Sequence, residues 1–157
     1  MKRLFRRVLI AAAVLLLVIQ VVPYGRDHTN PHSGAEPQWD SPATRELAVR
    51  ACFDCHSNQT RWPWYSHVAP ASWLLQRDVE EGREHLNFTE WEKPQRHADE
   101  ASEIVGEGEM PPWFYTPLHP TARLSAGERD ALARGLNATL GGRAGQGEGD
   151  EDDGAGH

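Results

Sequence analysis

The chain has 157 residues, 39% of them hydrophobic, and a formal net charge of −7, which suits one domain of ordinary size. The charge is uneven: residues 1–22 hold Lys2, Arg3, Arg6 and Arg7 and no acid, so the remainder carries 12 basic and 23 acidic residues. That sign disfavours nucleic-acid binding. It suits a basic protein partner, or simply keeps a small domain soluble.

Lys2 to Arg7 form a cationic start, and Val8 to Val22 is an apolar run broken only by Gln20. No small-x-small cleavage site follows, so residues 1–22 are predicted to be an uncleaved N-terminal transmembrane anchor. The cationic end would be cytoplasmic and the rest of this single-pass chain exported. Residues 23–40 are rich in Pro, Gly, Asn and His and are predicted to be an extended linker. Residues 41–140 form the predicted folded domain, a small core for which a bound prosthetic group would supply apolar mass.

Ser41-Pro42 predicts a helix start, with Ser as N-cap and Pro at the first helical position. Leu47, Ala48, Ala51, Cys52 and Cys55 then recur at helical spacing. Asn58 to Pro70 is predicted to be a loop. Ala71 to Leu86 is predicted to be a helix that buries Trp73, Leu74, Leu75, Val79 and Leu86. Thr89 and Glu92 have capping-box spacing, and Pro94 soon follows. A helix from about Gln95 to Val105 is expected next, ended by Gly106 and Gly108. Glu109 to Pro120 is predicted to be an irregular loop. Ser125 and Glu128 form a second capping box, with Leu124 as a possible staple, and Leu132, Leu136 and Leu140 share one face of a last helix. Gly141-Gly142 should stop it. Residues 141–157 are Gly-rich and acidic and are expected to be a disordered tail. No strand pattern is visible, so the fold class expected is all-α.

Chemistry concentrates at Cys52-Phe53-Asp54-Cys55-His56. A C-x-x-C-H run is the signature for covalent attachment of c-type haem. Two thiols add across the haem vinyl groups, and the adjacent imidazole becomes the proximal iron ligand. Both cysteines of the chain lie in this run. The competing readings are a dithiol redox pair, half of a zinc site, or a structural disulfide. No βαβ pattern supports the first, no second ligand pair supports the second, and so short a loop gives the third little entropy to remove.

One imidazole leaves the sixth position of the iron for Met, for His or for nothing. Met110 is the only methionine after Met1 and stands in a Gly-Glu-Met-Pro-Pro loop stiffened by two prolines. Met110 is therefore the expected second axial ligand, with His119 as the alternative and packing as the bland reading. His85 and His97 lie in charged stretches and should face water, and His67 is near the proximal loop. His28, His32 and His157 are assigned no role. Trp62, Trp64, Trp73, Trp91 and Trp113 are expected in the core and the pocket wall. Arg61 and Arg123 are candidates to pair with haem propionates, or are surface charges.

Several stretches resemble the bacterial haem-binding domain family of small anchored proteins. They are residues 52–66 (Cys-Phe-Asp-Cys-His-Ser-Asn-Gln-Thr-Arg-Trp-Pro-Trp-Tyr-Ser), Asn87 to Trp91, Glu109 to Trp113 and His119 to Ser125. The likeness runs from about Leu16 to Leu140. Members are thought to be c-type haem proteins, some with the domain beside other cytochrome modules. The resemblance implies Cys52, Cys55 and His56 as haem residues and draws attention to Met110 and His119. The order of elements is also similar to the class I cytochrome c plan, in which the first and last helices pack together beside the haem.

The expectation is a cytochrome c-like helical domain around one covalent haem c. It would carry single electrons between redox protein partners on the periplasmic side of a bacterial cytoplasmic membrane, as a carrier more than an enzyme. A haem sensor or peroxidase-like enzyme, with a displaceable sixth ligand, is one alternative. A haem-free thiol redox protein is the other.

Overall fold

The computed structural model describes residues 1–144. Its elements are α1 (Lys2–Ile19), α2 (Pro42–Ala51), α3 (Phe53–His56), α4 (Ala71–His85), α5 (Ala101–Glu107) and α6 (Ala126–Ala144), with 3₁₀ turns at Trp64–His67 and Pro120–Ala122. The described residues are all-helical, as expected from the pattern. The expected tail lies outside them except for 141–144, which are helical: α6 runs through Gly141-Gly142.

The membrane anchor is corrected. No helix among the described residues is long and apolar enough to cross a membrane, which argues against the single-pass topology and the location inferred from it. The four cationic residues occupy the first turns of α1, leaving Val8 to Ile19 as its apolar part. At 1.5 Å per residue that part is about 18 Å long, against a hydrocarbon core of about 30 Å. No residue of α1 is buried. Its end is tied to the domain by Gln20, whose side-chain amide donates to Ala69 O at 2.9 Å and accepts from Ala69 N at 3.0 Å.

Residues 23–40 carry no helix or strand, yet they are not a free spacer. Gly25, at φ +74°, lies against the Ser72 backbone, where a Cβ would collide. Gly34 N donates to Thr89 O at 2.7 Å and Trp91 N to Ala35 O at 2.9 Å. Trp39 then packs on Phe88, centroids 5.2 Å apart, and on Phe53 at 6.4 Å. A segment whose backbone partners and ring neighbours are this distant in sequence gives no local signal of its packing.

The core gathers Ala48, Phe53, Leu86, Phe88, Ala98, Val105, Leu132, Leu136 and Leu140. α6 joins α2 and α5. The α2–α6 approach is close because Gly135 has no Cβ to strike the Thr44 side chain. The helix starts predicted at Ser41 and Ser125 are present. Ser41 Oγ accepts from Thr44 N at 3.2 Å. Ser125 and Glu128 cap reciprocally, with Ser125 N to Glu128 Oε2 at 2.8 Å and Glu128 N to Ser125 Oγ at 3.3 Å.

Other expectations shift. Thr89 and Glu92 cap no helix: Thr89 is buried and accepts from Asn58 N at 2.7 Å, while Glu92 accepts from Ala35 N at 3.1 Å. α5 begins at Ala101 rather than near Gln95. Gln95 instead spends its side chain on loop backbone, accepting from Asn87 N at 2.8 Å and donating to Glu90 O at 2.9 Å. Gly108 ends α5 at φ +81°, and Glu109 N turns back to Ile104 O at 3.1 Å. α4 matches its prediction, but Leu74 points outward while Ser72, Leu75, Val79 and Gly82 form its buried stripe.

Candidate functional site

α2 breaks at Cys52, whose φ of −121° leaves helical geometry, and a separate turn, α3, follows at Phe53–His56. His56 N still closes back on Cys52 O at 2.9 Å. The turn therefore presents Cys52, Cys55 and His56 from one compact piece of backbone. α4 lies directly against it. Gly82 makes this possible, since a Cβ there would stand 2.7 Å from Cys55 O and 3.1 Å from Cys55 Cβ.

His56 is the best-oriented polar group in the region. Its Nδ1 faces two carbonyls, Gly82 O at 2.9 Å and Leu86 O at 3.1 Å. Nδ1 therefore carries the proton and Nε2 keeps its lone pair. Burial pushes the imidazole below its ordinary pKa, so the ring is neutral at pH 7. Burial also pushes both thiols up, to about 12 for Cys52 and for Cys55. Both are unpaired thiols.

The segments behind the turn are bound to it by buried amides and hydroxyls. Phe88 N donates to His56 O at 2.9 Å. Asn87 Nδ2 donates to Asn58 Oδ1 at 2.9 Å, and Thr89 Oγ1 to Asn87 Oδ1 at 2.9 Å. From α4, Arg83 Nε donates to Ser57 O at 2.8 Å and its Nη2 to Thr60 Oγ1 at 2.9 Å. Buried polar groups paired in this way hold one geometry, because each lost bond would strand a desolvated partner.

Two cavities adjoin the turn, of about 300 Å³ and about 350 Å³, and both are lined by Ala51, Cys52, His56, His85 and Met110. They are two lobes of one cleft. The first lobe is closed by Leu86, Phe88, Ile104, Val105 and Leu136. The second is bounded by Cys55, Leu75, Pro112, Phe114 and Tyr115, with Asp54, Asp78 and Glu81 adding negative charge.

The cleft thus brings together Cys52, His56 and Met110 in both lobes, with Cys55 in the second. His119 lines neither lobe. Its ring stacks on Tyr115, centroids 3.9 Å apart, and its Nε2 meets the Tyr65 hydroxyl at 2.5 Å. His85 and His97, expected to face water, pack edge to face at 4.7 Å, and both line the first lobe. Their shared position comes from His97 N donating to His85 O at 3.3 Å, a pairing across the 86–96 connection that periodicity does not reveal.

No tryptophan lines either lobe. Trp113 and Trp64 are exposed, Trp62 stacks on His28 at 4.6 Å, and Trp91 packs against the core. Neither Arg61 nor Arg123 lines the cleft. Arg61 is committed to Asp54, with Nε to Oδ1 and Nη2 to Oδ2 both at 3.0 Å.

These residues fit a haem. The donor set is a neutral imidazole with its second nitrogen anchored, a soft thioether, and two uncharged thiols on an apolar wall. No group of three or more His, Cys, Asp or Glu among the described residues is placed to hold a bare metal ion. Among curated proteins and among solved structures no match to the chain is found. The family model described as the haem-binding domain matches residues 14–138. That range spans the cleft, both cysteines, His56 and Met110, and the chain belongs to the haem-binding domain family.

Proposed function

We infer that the protein is a monohaem c-type cytochrome domain whose function is one-electron transfer. The observation that carries this reading is the double carbonyl anchor on His56 Nδ1, 2.9 Å from Gly82 O and 3.1 Å from Leu86 O, beside two thiols in an apolar cleft. In this reading Cys52 and Cys55 hold the haem by thioethers, and His56 and Met110 are its axial ligands. The haem supplies an iron that cycles between ferrous and ferric. The chain orients the imidazole through Gly82 and Leu86, keeps His56 uncharged by burial, and excludes water with Leu86, Phe88 and Leu136. The packing of α2 on α6 beside the cleft supports the likeness to the class I cytochrome c plan.

The thiol redox alternative is disfavoured on electrostatic grounds. A reactive dithiol needs a thiolate stabilised by nearby positive charge. Here burial raises both thiols, and Asp78 and Asp54 raise Cys55 further, outweighing the smaller lowering by Arg83. The sensor alternative draws on one observation, the half-exposed setting of Met110, which would let an external ligand compete for the iron.

Asp78 and Glu81 give the second lobe a negative margin, and the whole chain carries −7. A basic redox protein is the partner this charge would steer.

Maturation in a host competent for cytochrome c assembly tests the reading. Intact mass should exceed the polypeptide by one haem, retained through acid-acetone extraction. Replacing Cys52 and Cys55 together with Ala should remove the adduct. An unmodified wild-type chain from such a host would overturn the reading. Carbon monoxide titration of the reduced protein separates carrier from sensor: slow, weak binding supports the carrier and rapid, tight binding the sensor.

A further inference from the structure

The loop that brings Met110 to the cleft is poorly held by apolar packing. Met110 is 37% exposed, Trp113 84%, Phe114 54% and Leu118 68%. Its backbone hydrogen bonds are largely internal, Tyr115 N to Pro112 O at 3.0 Å and His119 N to Tyr115 O at 3.2 Å. Such bonds shape the loop without fixing where it sits.

Two side-chain hydrogen bonds tie the loop outward. Tyr115 Oη donates to Asp54 Oδ2 at 2.8 Å. His119, stacked on the Tyr115 ring, meets Tyr65 of the Trp64–His67 turn. Asp54 lies between Cys55 and Phe53, so the first tie joins the methionine loop to the C-x-x-C-H turn itself. The carboxylate is also held from a second side: Arg61 N and Nε reach Oδ1 at 3.1 and 3.0 Å, and Arg61 Nη2 reaches Oδ2 at 3.0 Å. A bidentate guanidinium sets the carboxylate plane, and a hydrogen bond to an ionised acceptor is roughly twice as strong as a neutral one.

We propose that Asp54 and Tyr115 are positioning residues, a clasp by which the cysteine-bearing turn holds the Met110 loop over the cleft. The proposal rests on the reading of Met110 as an axial ligand. His119 acts within it by bracing the Tyr115 ring.

The test uses matured holoprotein and the Tyr115→Phe variant, which keeps the ring stacked on His119 and removes only the hydroxyl. Two measurements are made, the rate of carbon monoxide binding to the reduced protein and amide hydrogen exchange across residues 109–119. The clasp predicts about tenfold faster binding, the scale of one charge-assisted hydrogen bond, with faster exchange confined to the loop. Asp54→Asn, which keeps an acceptor oxygen, should fall between wild type and Tyr115→Phe. Wild-type values in both measurements would overturn the clasp, as would exchange raised equally in α6, which marks general weakening. If the oxidised wild type lacks a far-red sulfur-to-iron band, the axial role of Met110 fails separately. Loop exchange in Tyr115→Phe then decides on the clasp alone.

Discussion

The turn that carries Cys52, Cys55 and His56 and the loop that carries Met110 face one cleft but are built by opposite means. The turn is backed by Phe53 and Phe88, whose rings stack at 5.7 Å, and by the buried Asn58–Asn87–Thr89 bonds. The loop keeps its large apolar side chains in solvent and leans on two aromatic-ring tethers. In the proposed cytochrome, the first arrangement suits an attachment point that must not move. The second suits a ligand whose bond strength tunes potential and access.

Phe88→Ala should break the contrast most severely. Phe88 is fully buried among Phe53, Trp39 and Trp91, and truncation of such a ring costs about 3–5 kcal/mol. Chemical denaturation should show the loss as a lower midpoint. A change under about 1 kcal/mol would mean the turn is not supported from behind.

Gly82→Ala should come next, at about 1–3 kcal/mol for overpacking. The added Cβ presses on Cys55 O from α4, so the effect should also reach the visible spectrum of the matured protein. Gly106→Ala, whose Cβ would meet nothing closer than Ala133 Cβ at 3.8 Å, is the control and should be neutral or slightly stabilising.

Met110→Ala should invert the pattern. Stability should change by much less than for Phe88→Ala, about 1 kcal/mol, because Met110 keeps 37% of its surface exposed and borders a cleft rather than the core. The far-red band should disappear, the reduction potential should fall, and carbon monoxide should bind quickly. His119→Ala should leave the band in place. If His119→Ala opens the sixth site and Met110→Ala does nothing, the axial assignment is reversed.

The smallest effect is a pH dependence remote from the cleft. Glu128 is held down to about 2 by Ser125 N, the Arg50 guanidinium and the Ser125 hydroxyl. A carboxyl depressed in the folded state stabilises fully above its unfolded value and loses that contribution as pH falls through the folded one. Acid titration of stability should therefore decline from about pH 4.5 toward pH 2, and Glu128→Gln should flatten that part of the curve. An unchanged curve would show that the Arg50–Glu128 contact, 2.6 Å long, does not hold α2 to α6.

The elements that sequence reading found are those announced by neighbours. Ser41-Pro42, Ser125 with Glu128, and the Leu132–Leu136–Leu140 stripe each carry their signal within one or two turns of helix. The C-x-x-C-H run and Met110 stand out for a different reason, the scarcity of Cys and Met in the chain, and the structure brings both to one cleft. What escaped depends on distant partners. Trp39 reads as linker until Phe53 and Phe88 meet it. Thr89 and Glu92 read as a capping box until Asn58 and Ala35 claim them. His85 and His97 read as surface until the 86–96 connection folds one onto the other. The apolar run reads as a span when it is counted to Val22, but the helix stops at Ile19 and the four cationic residues take its first turns.

The strap formed by residues 23–40 sets a length. It is pinned beside Ser72 at Gly25, beside Thr89 and Trp91 at Gly34 and Ala35, and over Phe88 at Trp39. An insertion between Ala35 and Trp39 would change the distance between the backbone pairing at Ala35 and the seat of the indole on Phe88, whereas surface connections ordinarily absorb such changes. As a portable module for grafting onto another protein, the domain starts ahead of Gly25, and a graft cut at Ser41 would leave Phe53 and Phe88 without their lid.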